Sequence, residues 1–95
     1  MKLIFKHSPV CVVSLAGKRE VDKVLERYKE DFEFELIDVI SDKDRSREVS
    51  ELFDVKHESP QIIVLDGENK VLWDASHFEI KADKIMNILS ENKKK

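Results

Sequence analysis

The run Gln61-Ile62-Ile63-Val64-Leu65 is apolar in its last four positions without interruption. A strand with one wet face alternates apolar and polar side chains, so a run that is apolar on both sides needs cover on both faces. That requirement calls for a sheet between layers of helix, and the rest of the chain supplies the pieces. Leu3-Ile4-Phe5 places a short strand over residues 2–6. From Val12 to about Tyr28 the pattern is helical, with Val21, Val24, Leu25 and Tyr28 at the spacing of one buried face. Gly17 weakens the first turns of that helix and predicts an irregularity there. Phe34, Leu36, Ile37 and Val39 mark a second strand, with Glu33 and Glu35 alternating at its start. Ser41-Asp42-Lys43-Asp44 resembles a capping box, and a second helix follows to about Phe53, with Val49, Leu52 and Phe53 turned inward. Asp66-Gly67-Glu68-Asn69 is turn chemistry, so Lys70-Val71-Leu72-Trp73 pairs back on the apolar run as a hairpin. Ile85, Met86, Ile88 and Leu89 mark a closing helix.

The order is βαβαββα. A helix joins the first two strands, which predicts a parallel pair with a right-handed crossover. The hairpin completes a mixed four-stranded α/β sheet with helices on both faces. A length of 95 residues fits one domain, 1–95, around one modest core. Lys and Arg number 17 against 20 Asp and Glu, a net charge of -3, which weighs against nucleic acid as a partner. The charges are spread along the chain in mixed sign, as on solvated helix faces. The terminal Lys93-Lys94-Lys95 reads as a frayed end rather than an anchor. No apolar stretch approaches the ~20 residues of a membrane span, and Lys2 is followed by only three apolar residues, too few for a signal-peptide core. No membrane partner is expected. One cysteine excludes an internal disulfide, and the combination reads as a reducing cytoplasm.

That cysteine, Cys11, follows the first strand and a Ser8-Pro9 breaker, where the first helix starts. The opening N–H groups of a helix lack internal partners and the macrodipole is positive there, which stabilises a thiolate. The other reading is a buried structural cysteine packed as a small hydrophobe. A cysteine directly after the first strand of a βαβαββα chain matches the minimal thioredoxin or glutaredoxin architecture, with a generic small α/β domain as the alternative. In a thioredoxin-like fold the turn Glu58-Ser59-Pro60, entering the central strand, faces the cysteine. The Ser59–Pro60 bond is then expected to be cis, with the Ser59 backbone open to an extended peptide or thiol substrate; a trans proline ending a loop is the alternative.

His57-Glu58-Ser59-Pro60-Gln61 and Trp73-Asp74-Ala75-Ser76-His77 closely resemble segments of the monothiol bacilliredoxins. So does Phe5-Lys6-His7-Ser8 ahead of Cys11 and Ser14, and the resemblance covers nearly the whole chain. It implies a thioredoxin-like fold and a role in bacillithiol redox balance under oxidative stress. Members of that family take bacillithiol off mixed disulfides on cytoplasmic proteins. Two departures stand out. The family pattern Thr-Cys-Pro-Ile-Ser is here Val10-Cys11-Val12-Val13-Ser14, and losing the proline alters the first helical turn and the redox properties of the thiol. Typical members also carry an extra N-terminal segment, whereas this sequence starts almost at the first strand.

On this reading Cys11 is the nucleophile, bacillithiol is the thiol co-substrate, bacillithiolated cytoplasmic proteins are the partners, and no cofactor is tightly bound. Ser14 stands where a dithiol enzyme has its resolving cysteine. Its hydroxyl either hydrogen-bonds the thiolate or serves as a helix-surface or backbone-bonded serine. His7 either biases Cys11 toward thiolate as a cation or donor, or faces away. His57 orders the Ser-Pro turn. Ser59, Pro60, Ser76 and His77 are the candidate substrate-binding residues, with capping of the last helix as the competing role for Ser76 and His77. Trp73 is expected in packing. Two other function classes share these residues: an interaction module without turnover, and an iron–sulfur carrier like monothiol glutaredoxins, whose Gly-Phe after the cysteine Val12-Val13 does not match. No candidate ligands show zinc spacing, so no metal site is expected.

Overall fold

The computed structural model describes residues 1–28 and 32–93. The elements run β1 (Lys2–His7), α1 (Val12–Tyr28), β2 (Glu33–Asp38), α2 (Lys43–Phe53), β3 (Gln61–Leu65), β4 (Val71–Ser76), a 3₁₀ turn (His77–Glu79) and α3 (Ala82–Lys93). The expected order holds. The sheet is β2-β1-β3-β4, with β1 parallel to β2 and β3 antiparallel to both its neighbours. Lys94 and Lys95 of the basic tail lie outside the described residues.

Strand alternation sorts the core into two layers. Leu3, Phe5, Ile62, Val64 and Ala75 face α1 and α3, meeting Val21, Val24, Ala82, Ile85 and Leu89. Ile4, Ile37, Ile63 and Leu65 face α2 and meet Val49. All five residues of β3 are buried, as its continuous apolar run requires. Trp73 is half-buried against the first layer, in the packing role expected of it. No described helix is long and apolar enough to cross a membrane.

The structure corrects several details. Asp42, not Ser41, caps α2: its side chain accepts from the Arg45 N–H at 3.3 Å. The cause lies just upstream, where the Asp38 carboxylate accepts the N–H groups of Ile40 and Ser41 and so turns the chain before the helix begins. Leu52 is 66% exposed rather than buried. The inward face of α2 runs through Ser46, Val49 and Phe53, and Leu52 sits about a quarter of a turn from its centre. Strand β4 continues to Ser76, three residues past Trp73.

Helix α1 is also continuous through Gly17. A Cβ placed there would lie 3.5 Å from Ile80 Cδ1, 3.6 Å from Pro60 Cβ and 3.7 Å from Phe5 Cζ. Gly17 therefore faces Ile80, Phe5 and the Ser-Pro turn at distances that admit a methyl group, and the helix carries it without the irregularity expected there.

Candidate functional site

The site is built at one end of the sheet. Strand β1 runs toward its C-terminus there, and its antiparallel neighbour β3 begins there, with Lys6 opposite Gln61. The loop 8–11 leaving β1 and the turn 58–60 entering β3 therefore emerge at the same end. Ser59–Pro60 is cis, as expected.

Cys11 is half-buried and directly precedes α1. Its N–H donates to the Ser8 carbonyl at 3.1 Å, closing the turn, and its carbonyl accepts from Leu15 N–H at 3.0 Å. A residue whose carbonyl takes the first intrahelical bond is in the N-cap position, so the sulfur is carried at the positive end of the helix. Its chain neighbours Val10 and Val12 are 81% and 80% exposed, so the cysteine is flanked in sequence by two apolar side chains open to solvent.

Ser14 lies one turn into α1 and is fully buried. Its Oγ accepts the Ser8 N–H at 2.8 Å and stands 2.9 Å from His7 Nδ1. Ser14 is thus bonded to backbone and to His7, and it pins the loop ahead of Cys11 onto the first turn of the helix. The hydrogen bond to the thiolate is not the one this geometry provides. His7, 7% exposed, stacks on Phe5 with ring centroids 5.5 Å apart. Burial, reinforced by the charge of Lys18, pushes its pKa below the usual histidine value. The imidazole thus faces inward, the second of the two readings the sequence left open, and its burial disfavours the charged form.

Ser76 and His77 do not cap α3. That helix starts at Ala82, whose N–H donates to Glu20 Oε1 on α1 at 3.0 Å. His77 instead stands at the end of β4 with φ of 54°, a left-handed backbone that non-glycine residues adopt sparingly. Its N–H donates to the Pro60 carbonyl at 3.0 Å, tying the end of β4 to the Ser-Pro turn. Glu58 completes the group. Its carboxylate lies 3.6 Å from His77 Nδ1 and is held below the usual range, first by the Ser76 hydroxyl and then by His77. Reading the sequence did not assign Glu58 a role; a carboxylate directly before a Ser-Pro turn was the available signal. The Ser59 Oγ is buried without a hydrogen-bond partner. Phe78, next to His77, is 70% exposed.

His57 does order the turn, through contacts that sequence alone does not give. Its Nδ1 lies 3.1 Å from Lys6 Nζ and 3.3 Å from Ser46 Oγ. The ring thereby joins the Ser-Pro loop to β1 and α2. Among the described residues no three His, Cys, Asp or Glu side chains converge as a set of metal ligands.

A family model described as monothiol bacilliredoxin BrxC matches residues 1–85. Solved structures align over most of the chain. One, assigned as an oxidoreductase with a thioredoxin fold, has a TM-score of 0.78 at 26% identity and covers 92% of this chain and 75% of its own. Thioredoxin 1 from the thermophilic eubacterium Thermosipho africanus TCF52B aligns with a TM-score of 0.70 at 19% identity, over 99% of this chain and 96% of its own. The malaria parasite's thioredoxin-2 gives 0.71 at 21% identity, over 95% and 81%. The fold is therefore that of thioredoxin.

Proposed function

The chain belongs to the monothiol bacilliredoxin family, and from that premise we propose that it removes bacillithiol from mixed disulfides on cytoplasmic proteins, with Cys11 as nucleophile. Family membership and the oxidoreductase fold support a thiol redox role. The observation that carries the finer reading is Cys11 itself: half-buried, at the N-cap of α1, at the sheet end that also bears Ser59 and Pro60.

The Cys11 thiolate attacks the bacillithiol sulfur of a protein–bacillithiol disulfide. The disulfide breaks, the client thiolate leaves and takes a proton, and Cys11 now holds bacillithiol through a new S–S bond. The chain has no second cysteine, so the next step belongs to another molecule. A second bacillithiol thiolate attacks the bound bacillithiol sulfur, Cys11 leaves as thiolate, and bacillithiol disulfide departs. The net change is a thiol–disulfide exchange: the second bacillithiol is oxidised into the disulfide as the client sulfur returns to a thiol, and the first bacillithiol stays at the disulfide level throughout. Bacillithiol is therefore a co-substrate, and this cycle uses no tightly bound cofactor.

Each neighbouring group has a part in this reading. Ser14 and His7 hold the loop that presents the sulfur. Ser59 and Pro60 offer a backbone edge to the substrate, and Ser76 and His77, braced by Glu58, extend that edge beside the turn. The exposed Val10, Val12 and Phe78 suit a protein client better than a small thiol alone, and they also fit the second reading, an interaction module without turnover.

One assay separates the two. A bacillithiolated protein is incubated with catalytic amounts of this protein and excess bacillithiol, and release of the client thiol is followed. Multiple turnovers that vanish in Cys11→Ser are expected. Client release no faster than with bacillithiol alone, while the protein still binds the client, would establish the interaction module instead.

A further inference from the structure

Lys6 is buried in the layer facing α2, with no exposed surface. Strand alternation puts it there: Ile4 and Lys6 share a face, and Gln61 opposite Lys6 shares it too. Its ammonium donates to Ser50 Oγ at 2.5 Å and to His57 Nδ1 at 3.1 Å. Both partners are neutral, and among the described residues no carboxylate pairs with Lys6. A buried charge without a counterion is costly, and burial accordingly pushes the Lys6 pKa down from the usual lysine value.

The hydrogen bonds around Lys6 have a direction. An ammonium only donates, so His57 Nδ1 is the acceptor and its proton sits on Nε2. Ser50 Oγ accepts from Lys6, which leaves its own hydroxyl proton to donate elsewhere. A cavity of about 170 Å³ opens beside these groups, walled by Ser46, Ser50 and His57 and rimmed by Lys43, Arg47 and Glu51. Its lining joins the apolar Val39 to the hydroxyls of Ser46 and Ser50, the His57 ring and two further cations, Lys43 and Arg47, the latter also paired with Asp44 at 3.0 Å, with Glu51 as the one acid in the lining. On the same sheet face as Lys6, the Gln61 side chain, 2% exposed, keeps its Oε1 without a partner.

We propose that this cavity binds a small oxyanion, a carboxylate or phosphate group, with Lys6 as its buried counter-charge and Ser50, His57, Lys43 and Arg47 as its donors. The anion supplies the counterion that Lys6 lacks. The donor set of a planar or tetrahedral oxyanion is the same here, so the site is defined by negative charge and acceptor oxygens rather than by one ligand. His57 precedes the Ser-Pro turn, so an occupied cavity also fixes the loop that carries Ser59 and Pro60. The site stands independently of any chemistry at Cys11.

The test is a titration of the ¹⁵N-labelled full chain with inorganic phosphate and, separately, with acetate, each against sodium chloride at matched ionic strength. Saturable shifts centred on Ser46, Ser50 and His57 are expected from one or both anions, and the stronger of the two identifies the ligand class. Lys6→Met should weaken binding at least tenfold, Glu51→Gln should tighten it several-fold, and Cys11→Ser should leave it unchanged. Should Lys6→Met fail to fold, Ser50→Ala combined with Arg47→Ala must show the same loss. Shifts that never saturate, that chloride reproduces, or that survive in the folded variants overturn the proposal.

Discussion

Ser14 is the residue on which the geometry around the thiol turns. Its hydroxyl satisfies two groups at once, the part-buried Ser8 N–H and the buried His7 Nδ1. Ser14→Ala leaves both unpaired, and an orphaned buried polar group costs about 1–3 kcal/mol. Urea unfolding should show a loss of about 2 kcal/mol for this variant. Because the same bond holds the loop ahead of Cys11, transfer of bacillithiol to Cys11 should slow as well. A Ser14→Ala protein as stable as the parent would mean that the bond contributes nothing and that the loop is held by other contacts. Gly17 gives a prediction of opposite sign. An alanine Cβ there meets Ile80, Pro60 and Phe5 at ordinary van der Waals distance, 3.5 to 3.7 Å. Nothing opposes the gain in helix propensity, so Gly17→Ala should stabilise by ~0.5–1 kcal/mol, read as a melting temperature a few degrees higher. A lower melting temperature would show that α1 must come closer to the Ser-Pro turn than a methyl group permits.

At the scale of elements, α2 is joined to the edge strand β2 by charge. Arg45 holds Glu35 through two parallel bonds, Nε to Oε2 and NH2 to Oε1, each 2.7 Å. Lys2 on β1 adds an ion pair to the same carboxylate at 3.0 Å. Two-pronged pairs of this kind are stronger than single surface contacts. Arg45 first, with Lys2 behind it, lowers the Glu35 pKa from 4.5 to about 2. A depressed acid contributes stability that is present above its unfolded value and is lost as pH falls through the folded one. The contribution should therefore disappear between about pH 4.5 and pH 2. Glu35→Gln should cost ~1–2 kcal/mol at neutral pH, allowing for solvent screening, and almost nothing at pH 2. Acid unfolding followed by circular dichroism checks this; a constant difference between the two proteins across that window would exclude the pair as its cause.

For the whole molecule, pH acts through the histidines as well. Burial lowers the pKa of His7 and of His57, and the charges of Lys18 and Lys6 add to the effect. In the unfolded chain both titrate near 6.5. Protonation is then easier unfolded than folded, so stability should begin to fall as pH drops below about 6.5 and continue until the folded forms titrate. Melting temperatures measured from pH 8 to pH 5 should decline over that range, and His57→Gln should flatten the decline. A flat profile in the parent would mean that both rings are already solvated. The architecture and the position of Cys11 were legible in the sequence because they rest on local patterns: the continuous apolar run of β3, the helical spacing of Val21, Val24 and Tyr28, and the breaker before the cysteine. The partners of Ser14, the insertion of Glu58 between Ser76 and His77, and the burial of Lys6 were not legible. Each depends on which side chains a fold brings together from distant positions, such as Lys6 with Ser50 and His57. The central claim concerns one sulfur atom and is tested by peptide mass analysis after a single turnover. The protein is mixed with a stoichiometric bacillithiolated client, quenched in acid and digested. The account predicts that the mass of bacillithiol leaves the client and appears on the peptide bearing Cys11. A client that keeps its bacillithiol, or loses it while Cys11 stays unmodified and Cys11→Ser performs equally well, would contradict it.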